Sequence, residues 1–555
     1  MNKKVCSFPI LFALLALLIG TCAVVFPASA QAAPTSTGSI TVSGTVASSY
    51  DAYRIFSANV VDGDSDAKIA TDLAWASDAA RDAVLPVLHS AGMPNSKTTA
   101  QEAAEWLNTD SHLTSALSAQ LARSLQSSGA RPAALNAGTT AELPCGYWLI
   151  VAKDDAIAQG EAGTAPIMAL VGGSAVTVKP KAATPKVAKH VLEDSTAAWQ
   201  KAADATVADD LYWRLSATVP AGLTAYDTYT VQFVDTMSAG LDPSKVAASM
   251  RVYVAAGADG GFDAVPTGKD GRTGTEPAKG WTDITAQCAT KVAADGTFTV
   301  RTGDLIAALG GADAFAAGAR VVAVYNAPLN GACNHGIAKG NPNEVYLRYP
   351  RSPFADQSGD AGFTHTPSDD ACAYTWDLAL TKRGSDGDKP LAGAVLSIAD
   401  DRGRTLAADG TWDAEGKATV TTGEDGRVTV SGVDSGKLEV CELKAPKGYT
   451  AFEGTRSVTV KAEGLDVDQV VAAKPKLAIT AESPLRADSA DGSTGSLEAS
   501  LINTPTGTPP SITTGGFMPS TGDMAMYAAA AAAVAGAALI VVALLVKRGG
   551  GSHKE

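Results

Sequence analysis

Lysine, a carboxylic acid and asparagine can together make one new covalent bond, and this chain offers the three twice, with strand phase pointing Lys382, Asn503 and Asn343 inward. Lys382 closes the run Leu378-Ala379-Leu380-Thr381-Lys382, and a period of two sends Leu378, Leu380 and Lys382 to one face. Asn503 shares the phase of Ala499 and Leu501. Between them Glu442 opens the segment Glu442-Leu443-Lys444-Ala445-Pro446-Lys447-Gly448-Tyr449. Burial lowers the pKa of a lysine and raises that of a glutamic acid, so both can be neutral in a core. A neutral amine is a nucleophile, a protonated acid can polarise the asparagine carboxamide, and fixed proximity supplies the rest of the rate. The product is an intramolecular Lys–Asn isopeptide bond, with loss of ammonia. Each residue alone also reads plainly, as a lysine with a buried stem and a solvated head, a glutamate beside a turn, and a linker asparagine.

A second set precedes it. Lys189 ends Pro185-Lys186-Val187-Ala188-Lys189, Asp235 lies in Val234-Asp235-Thr236-Met237-Ser238-Ala239-Gly240-Leu241, and Asn343 is in phase with Val345, Leu347 and Tyr349. Lys186 and Asn341 are rival choices. A solvated lysine and a turn-stabilising asparagine are the plain alternative.

These side chains need sandwiches to hold them, and the composition supplies the material. The 555 residues bring 54 Gly and 27 Pro, with only 18% charged and 6% aromatic residues. Frequent turn formers and few aromatics favour a multi-domain all-β surface protein over a compact enzyme. A net charge of −14 argues against nucleic acid or an anionic membrane surface as the main partner. Residues 31–178 form a first domain, with strands at Ser39-Ile40-Thr41-Val42, Tyr147–Val151 and Ala175–Val178 around an Ala-rich helical insertion. There Ser111 is placed to cap a helix with Leu113, Leu117, Leu121 and Leu125 on one stripe. A Pro/Lys/Ala linker occupies 179–185, a second sandwich 186–370 with strands at Thr228–Phe233 and Val345–Tyr349, and a third 371–505 with strands at Leu378–Lys382 and Val428–Val430. The Gly/Asp-rich stretch 255–279 reads as an exposed insertion. A Thr/Pro/Gly spacer covers 506–517 and suits an extended conformation. The fold class is therefore tandem immunoglobulin-like β-sandwiches, the first with helical insertions.

The ends set the compartment. Lys3 and Lys4, an apolar run from Pro9 to Phe26 and Ala28-Ser29-Ala30 make 1–30 a secretory signal peptide cut after Ala30. Thr21 before Cys22 fits a lipoprotein acylation site poorly, and apolar sequence continues past it. Residues 524–546 form an uncharged apolar span, and Lys547-Arg548 in the 547–555 tail place that end in the cytoplasm. Just before the span, Met518-Pro519-Ser520-Thr521-Gly522 resembles the LPxTG sorting signal of Gram-positive surface proteins, with Met for Leu. That resemblance implies sortase cleavage between Thr521 and Gly522, and covalent attachment to the cell wall. Outside the signal peptide remain Cys145, Cys288, Cys333, Cys372 and Cys441. No CxxC pair occurs, so zinc and thioredoxin-like readings fail. In an oxidising compartment we expect Cys288 to pair with Cys333 and Cys372 with Cys441, leaving Cys145 free.

The Lys382, Glu442 and Asn503 segments resemble the collagen-adhesin B-type domain of Gram-positive pilins and adhesins, with Glu442 in its E-x-x-A-P-x-G-Y element. The Lys189, Asp235 and Asn343 segments resemble the A-type partner domain of pilin backbones, which implies aspartic acid as proton carrier. In such pilins the joining lysine lies in a V-x-V-Y-P-K element. Here Val176-Thr177-Val178-Lys179-Pro180-Lys181 holds that place with Lys for Tyr, making Lys181 the candidate inter-subunit nucleophile and Lys179 its competitor. Tyr53-Arg54-Ile55-Phe56 and Leu143-Pro144-Cys145-Gly146-Tyr147-Trp148 also resemble first-domain segments of these subunits. The resemblance is thus to the major, shaft-forming subunit of sortase-assembled pili. It implies as partners a class C-type pilin sortase, a housekeeping sortase, further copies of the chain, accessory pilins, peptidoglycan and host surface ligands. A monomeric wall-anchored adhesin, or a minor pilin at tip or base, is the alternative.

Enzyme chemistry on external substrates finds no support, since no HExxH, GxSxG, P-loop or Ser/His/Asp arrangement survives inspection. Six scattered His residues lack paired spacing, so neither metal nor cofactor is expected. Asp62-Gly63-Asp64-Ser65-Asp66 hints at a calcium loop, but glycine is missing at its sixth position and Leu73 stands at its twelfth.

Overall fold

The computed structural model describes residues 36–64, 67–109, 111–163, 165–180, 184–257, 280–470 and 473–507. The signal peptide, Lys181, the sorting motif 518–522 and the apolar run 524–546 lie outside them. No helix among the described residues is long and apolar enough to cross a membrane.

The first domain is organised on the long strand Ser49–Asp62, which pairs with Lys68–Trp75 on one side and Gly146–Ala152 on the other. Thr37–Val42 builds a smaller sheet with Thr140–Pro144 and, in parallel, Val176–Val178. Three helices, Asp78–Ser90, Ala100–Asn108 and Ser115–Ser127, follow in the insertion. Thr99 and Glu102 form a capping box on the second helix, so side chains satisfy backbone donors at its N-terminus. The third helix begins later than expected. Thr114, not Ser111, accepts from Leu117 N–H as the cap, while Ser111 sits at a φ of 57° and Leu113 stays exposed. Leu117, Leu121 and Leu125 are the buried stripe.

The second domain faces one sheet against another. One runs in the order Ala198–Gln200, Lys186–Glu193, Tyr212–Val219, Ala319–Asn326, Arg251–Ala256, Thr282–Asp283; the other runs Ala202–Asp204, Asp369–Tyr374, Asn341–Pro350, Gln232–Met237, Thr297–Arg301, Ala289–Val292. Trp213, Phe233, Phe298 and Leu347 fill the space between. The strand expected at Thr228–Phe233 starts only at Gln232. Side chains occupy the preceding backbone donors, with Tyr229 N–H on Asp304 Oδ1 at 3.0 Å and Val231 N–H on Thr302 Oγ1 at 3.0 Å, which removes them from any ladder.

The third domain is a smaller sandwich. Its first strand, Trp376–Gly384, lies between Arg427–Val433 and the last strand, Ser496–Pro505, and pairs with the latter in parallel. The facing sheet runs Trp412–Asp413, Thr405–Leu406, Val395–Ala399, Gly436–Lys444, Thr455–Glu463, Lys476–Ala481. One strand serves two cores. Along Asp369–Tyr374, Ala371 and Ala373 pack into the second domain while Cys372 and Tyr374 pack into the third, as alternation across a strand requires. The same joint carries Trp376 Nε1–H on Asp204 Oδ2 at 2.6 Å and Arg404 on Asp209 at 2.6 Å.

Candidate functional site

Parallel pairing of first and last strands brings the third-domain residues together. Lys382 stands opposite Leu501, and Asn503 opposite Gly384, two residues further along the pair. Leu378, Leu380, Ala499 and Leu501 flank them at 1% exposure or less, Lys382 at 0% and Asn503 at 2%. Glu442 reaches in from Gly436–Lys444 of the facing sheet. Lys382 Nζ touches Asn503 Oδ1 and lies 2.9 Å from Glu442 Oε1. Asn503 Nδ2–H donates to the same Glu442 oxygen at 2.9 Å. One carboxylate oxygen therefore holds both the amine and the carboxamide nitrogen. Phe452 closes the pocket, its ring 6.0 Å from Lys382 Nζ and its N–H on Glu442 Oε2 at 3.2 Å. Burial brings the Lys382 amine down to about 8, against the pull of Glu442 in the other direction.

In the second domain the residues meet across the sandwich. Lys189 comes from Lys186–Glu193 in one sheet; Asp235 and Asn343 come from paired neighbours in the other. All three are fully buried. Lys189 Nζ donates to Asp235 Oδ2 and, at 2.9 Å, to the hydroxyl of Tyr325. That hydroxyl lies 3.2 Å from Asp235 Oδ2 and accepts from Asn343 Nδ2–H at 2.8 Å. Asp235 Oδ1 and Asn343 Oδ1 have no hydrogen-bond partner. Burial lowers Lys189 from 10.5 to about 8 and raises Asp235 from 3.8 to about 6, while their mutual attraction opposes both changes. Burial thus narrows the gap between amine and acid, so that the neutral pair is more accessible here than for the free groups.

The rivals separate on geometry. Lys186 is exposed. Asn341 is buried, but its carboxamide is fully employed by Asn334 N–H at 2.8 Å, Asn334 O at 2.9 Å and Ala373 O at 3.2 Å. Tyr325 joins the site without any signal in the sequence: its strand neighbours Val321, Val322, Ala323 and Val324 are buried on both faces at 1% exposure or less, so strand phase does not single it out.

No buried lysine accompanies an asparagine among the described residues of the first domain, whose buried polar side chains are Ser57 and Ser118. The expected disulfides are corrected. Cys288, Cys333, Cys372 and Cys441 are free thiols, as is Cys145. Each of three is engaged locally: Cys288 Sγ with Ile284 O, Cys372 Sγ with Ala373 O, and Cys333 Sγ with His335. Cys372 and Cys441 lie on strands of different domains. Asp62, at the head of the suspected calcium loop, is spent on Lys68 and Ser174.

Residues 377–474 match the family described as SpaA, prealbumin-like fold domain. The trypsin-resistant surface T6 protein of Streptococcus pyogenes serotype M6 is 30% identical over 143 residues, which is 24% of this chain and 24% of that protein. The chain's alignment thus spans about a quarter of that relative. Among solved structures, the T6 backbone pilin of S. pyogenes aligns with a TM-score of 0.45 at 17% identity, covering 85% of this chain and 98% of that one. The full-length major pilin SpaD of Corynebacterium diphtheriae aligns with a TM-score of 0.40 at 15% identity, covering 86% of this chain and 100% of that one. The segment that matches the SpaA prealbumin-like fold domain thus lies within the third sandwich.

Proposed function

We propose that this chain is the structural shaft subunit of a covalently polymerised surface pilus, its second and third domains each locked by a Lys–Asn isopeptide bond. The observation that carries the reading is the convergence of Lys382, Glu442 and Asn503, and of Lys189, Asp235 and Asn343, inside dry cores. With the amine neutral and the acid protonated, Nζ attacks the asparagine Cγ. The acid stabilises the carboxamide oxygen and hands its proton to the leaving nitrogen, and the products are an amide and ammonia. In the second domain a protonated Asp235 turned onto the Asn343 carbonyl would satisfy both orphaned oxygens at once. The reaction happens once per molecule and is not turnover.

The cross-links suit a load-bearing filament. In the third domain the bond ties the first strand to the last, so tension along the chain bypasses the rest of the sandwich. Assembly follows from the sorting motif. A pilin sortase cleaves after Thr521 and passes its acyl group to Lys181 of the next copy, with Lys179 as competitor, and a housekeeping sortase attaches the finished polymer to peptidoglycan. Accessory pilins and host ligands then serve adhesion.

Wall extract boiled in SDS with reductant and blotted for this chain tests the reading. A ladder of regularly spaced bands that collapses to monomer in Lys181→Ala supports it. A single band near monomer mass overturns it in favour of a singly anchored adhesin.

A further inference from the structure

The loop that leads into Asn341–Pro350 holds a second chemical arrangement, built from residues outside the amide-forming clusters. Cys333 Sγ lies 3.5 Å from His335 Nε2, and His335 Nδ1 lies 2.8 Å from Asp377 Oδ2. The other oxygen of Asp377 accepts from Ser431 Oγ–H and from Gly432 N–H at 3.0 Å. Asp377 is thereby held in place and fixes the imidazole with Nδ1–H towards the carboxylate and Nε2 free to accept from the thiol. The loop itself is pinned. Asn334 N–H donates to Asn341 Oδ1 at 2.8 Å, and Gly336 N–H to Thr375 O at 3.1 Å. The side chains of His335 and Asp377 are 26% and 31% exposed, and Cys333 is half-buried, so the group opens to solvent.

We propose that Cys333, His335 and Asp377 form a thiol–disulfide exchange site that takes small-molecule disulfides at the joint between the second and third domains. The thiol proton passes to His335 Nε2 as Sγ attacks one sulfur of the incoming disulfide. The old S–S bond breaks, a new Cys333 S–S bond forms, and the departing thiolate collects the proton from His335. The adduct and one free thiol are the products, with no net oxidant beyond the disulfide itself. Burial and the nearby Asp377 raise the resting thiol's pKa, so the imidazole acts by removing the proton during attack rather than by storing a thiolate. Cys441 is an internal control. It is also half-exposed, and the third domain, from Trp376 to Pro505, contains no histidine.

The experiment treats the whole folded ectodomain with 5,5′-dithiobis(2-nitrobenzoate) and, separately, with cystine, and maps adducts on each cysteine against time by peptide mass. Cys333 is expected to react at least about ten-fold faster than Cys441. His335→Ala should erase that advantage, and imidazole added to the buffer should restore part of it, which a merely structural role would not give. Asp377→Asn should slow the reaction while leaving Cys441 unchanged. Equal rates at Cys333 and Cys441 in the unaltered protein would overturn the proposal without any variant. So would a His335→Ala protein, folded by circular dichroism, that reacts as fast as the parent.

Discussion

Glu442→Gln separates the carboxylic acid's chemistry from its packing. Glutamine keeps the volume at this fully buried side-chain position, and its amide oxygen can still accept from Asn503 Nδ2, which donates to Glu442 at 2.9 Å. The change therefore leaves no cavity, but it removes the proton that the bond-forming step needs. The uncrosslinked domain should weigh one ammonia more than a bonded chain of the variant's own sequence. The bond closes a loop between residues 121 apart, and the chain-entropy relation then gives about 5 kcal/mol of stabilisation lost. A domain of about 130 residues, Trp376 to Pro505, shifts its midpoint by about 3–5 °C per kcal/mol, so the third-domain transition should fall by about 15–25 °C. Differential scanning calorimetry on the ectodomain, with intact mass on the same sample, reads both quantities. A variant with the mass of the bonded chain of its own sequence would refute the role given to Glu442. A variant heavier by one ammonia whose transition moves by only a few degrees would refute the loop-closure argument.

Further outcomes follow from the second domain and its joint. Asn343→Ala should leave the second-domain bond unmade and the mass one ammonia higher than a bonded chain of that sequence, whereas Asn341→Ala should retain the bond; intact mass tells them apart. Tyr325→Phe removes the hydroxyl shared by Lys189, Asp235 and Asn343 and should slow bond closure by about ten-fold or more, read by mass at intervals after a pulse of synthesis; closure at the parent's rate contradicts that role. At the joint, burial first and Asp204 second raise Glu193 from 4.5 to about 7. A raised folded-state value stabilises most when the group is protonated, so this contribution is complete below about pH 4.5 and lost as pH rises through about 7. Asp434 is shifted in the same direction. Thermal midpoints between pH 4.5 and 8 should therefore fall with rising pH, and Glu193→Gln should flatten the slope; an unchanged slope would contradict the assignment.

Strand phase made much of this legible. Alternation placed Lys382 and Asn503 inward because Leu378, Leu380, Ala499 and Leu501 in the same phase must be buried, and the structure puts all six at 2% exposure or less. The sequence could not choose between Asn341 and Asn343, which share a phase and are both buried. Only the position of Asn334, whose backbone occupies the Asn341 carboxamide, separates them. Tyr325 went unseen because its role depends on two sheets meeting face to face, a relation that no local pattern carries. The helix start slipped from Ser111 to Thr114 because either hydroxyl could serve as a cap and the backbone geometry decides. The disulfide expectation failed for a similar reason. Redox compartment and parity say that thiols can pair, but Cα positions and side-chain directions decide whether they do.

The side-chain geometry prepares two amide bonds, and the intact mass of the folded wild-type ectodomain, taken under reducing conditions, tests them most directly. The expected mass is two ammonias below that of the sequence, with the Lys189–Asn343 and Lys382–Asn503 peptides recovered joined after proteolysis. A mass equal to that of the sequence, with those four residues in separate linear peptides, would contradict it.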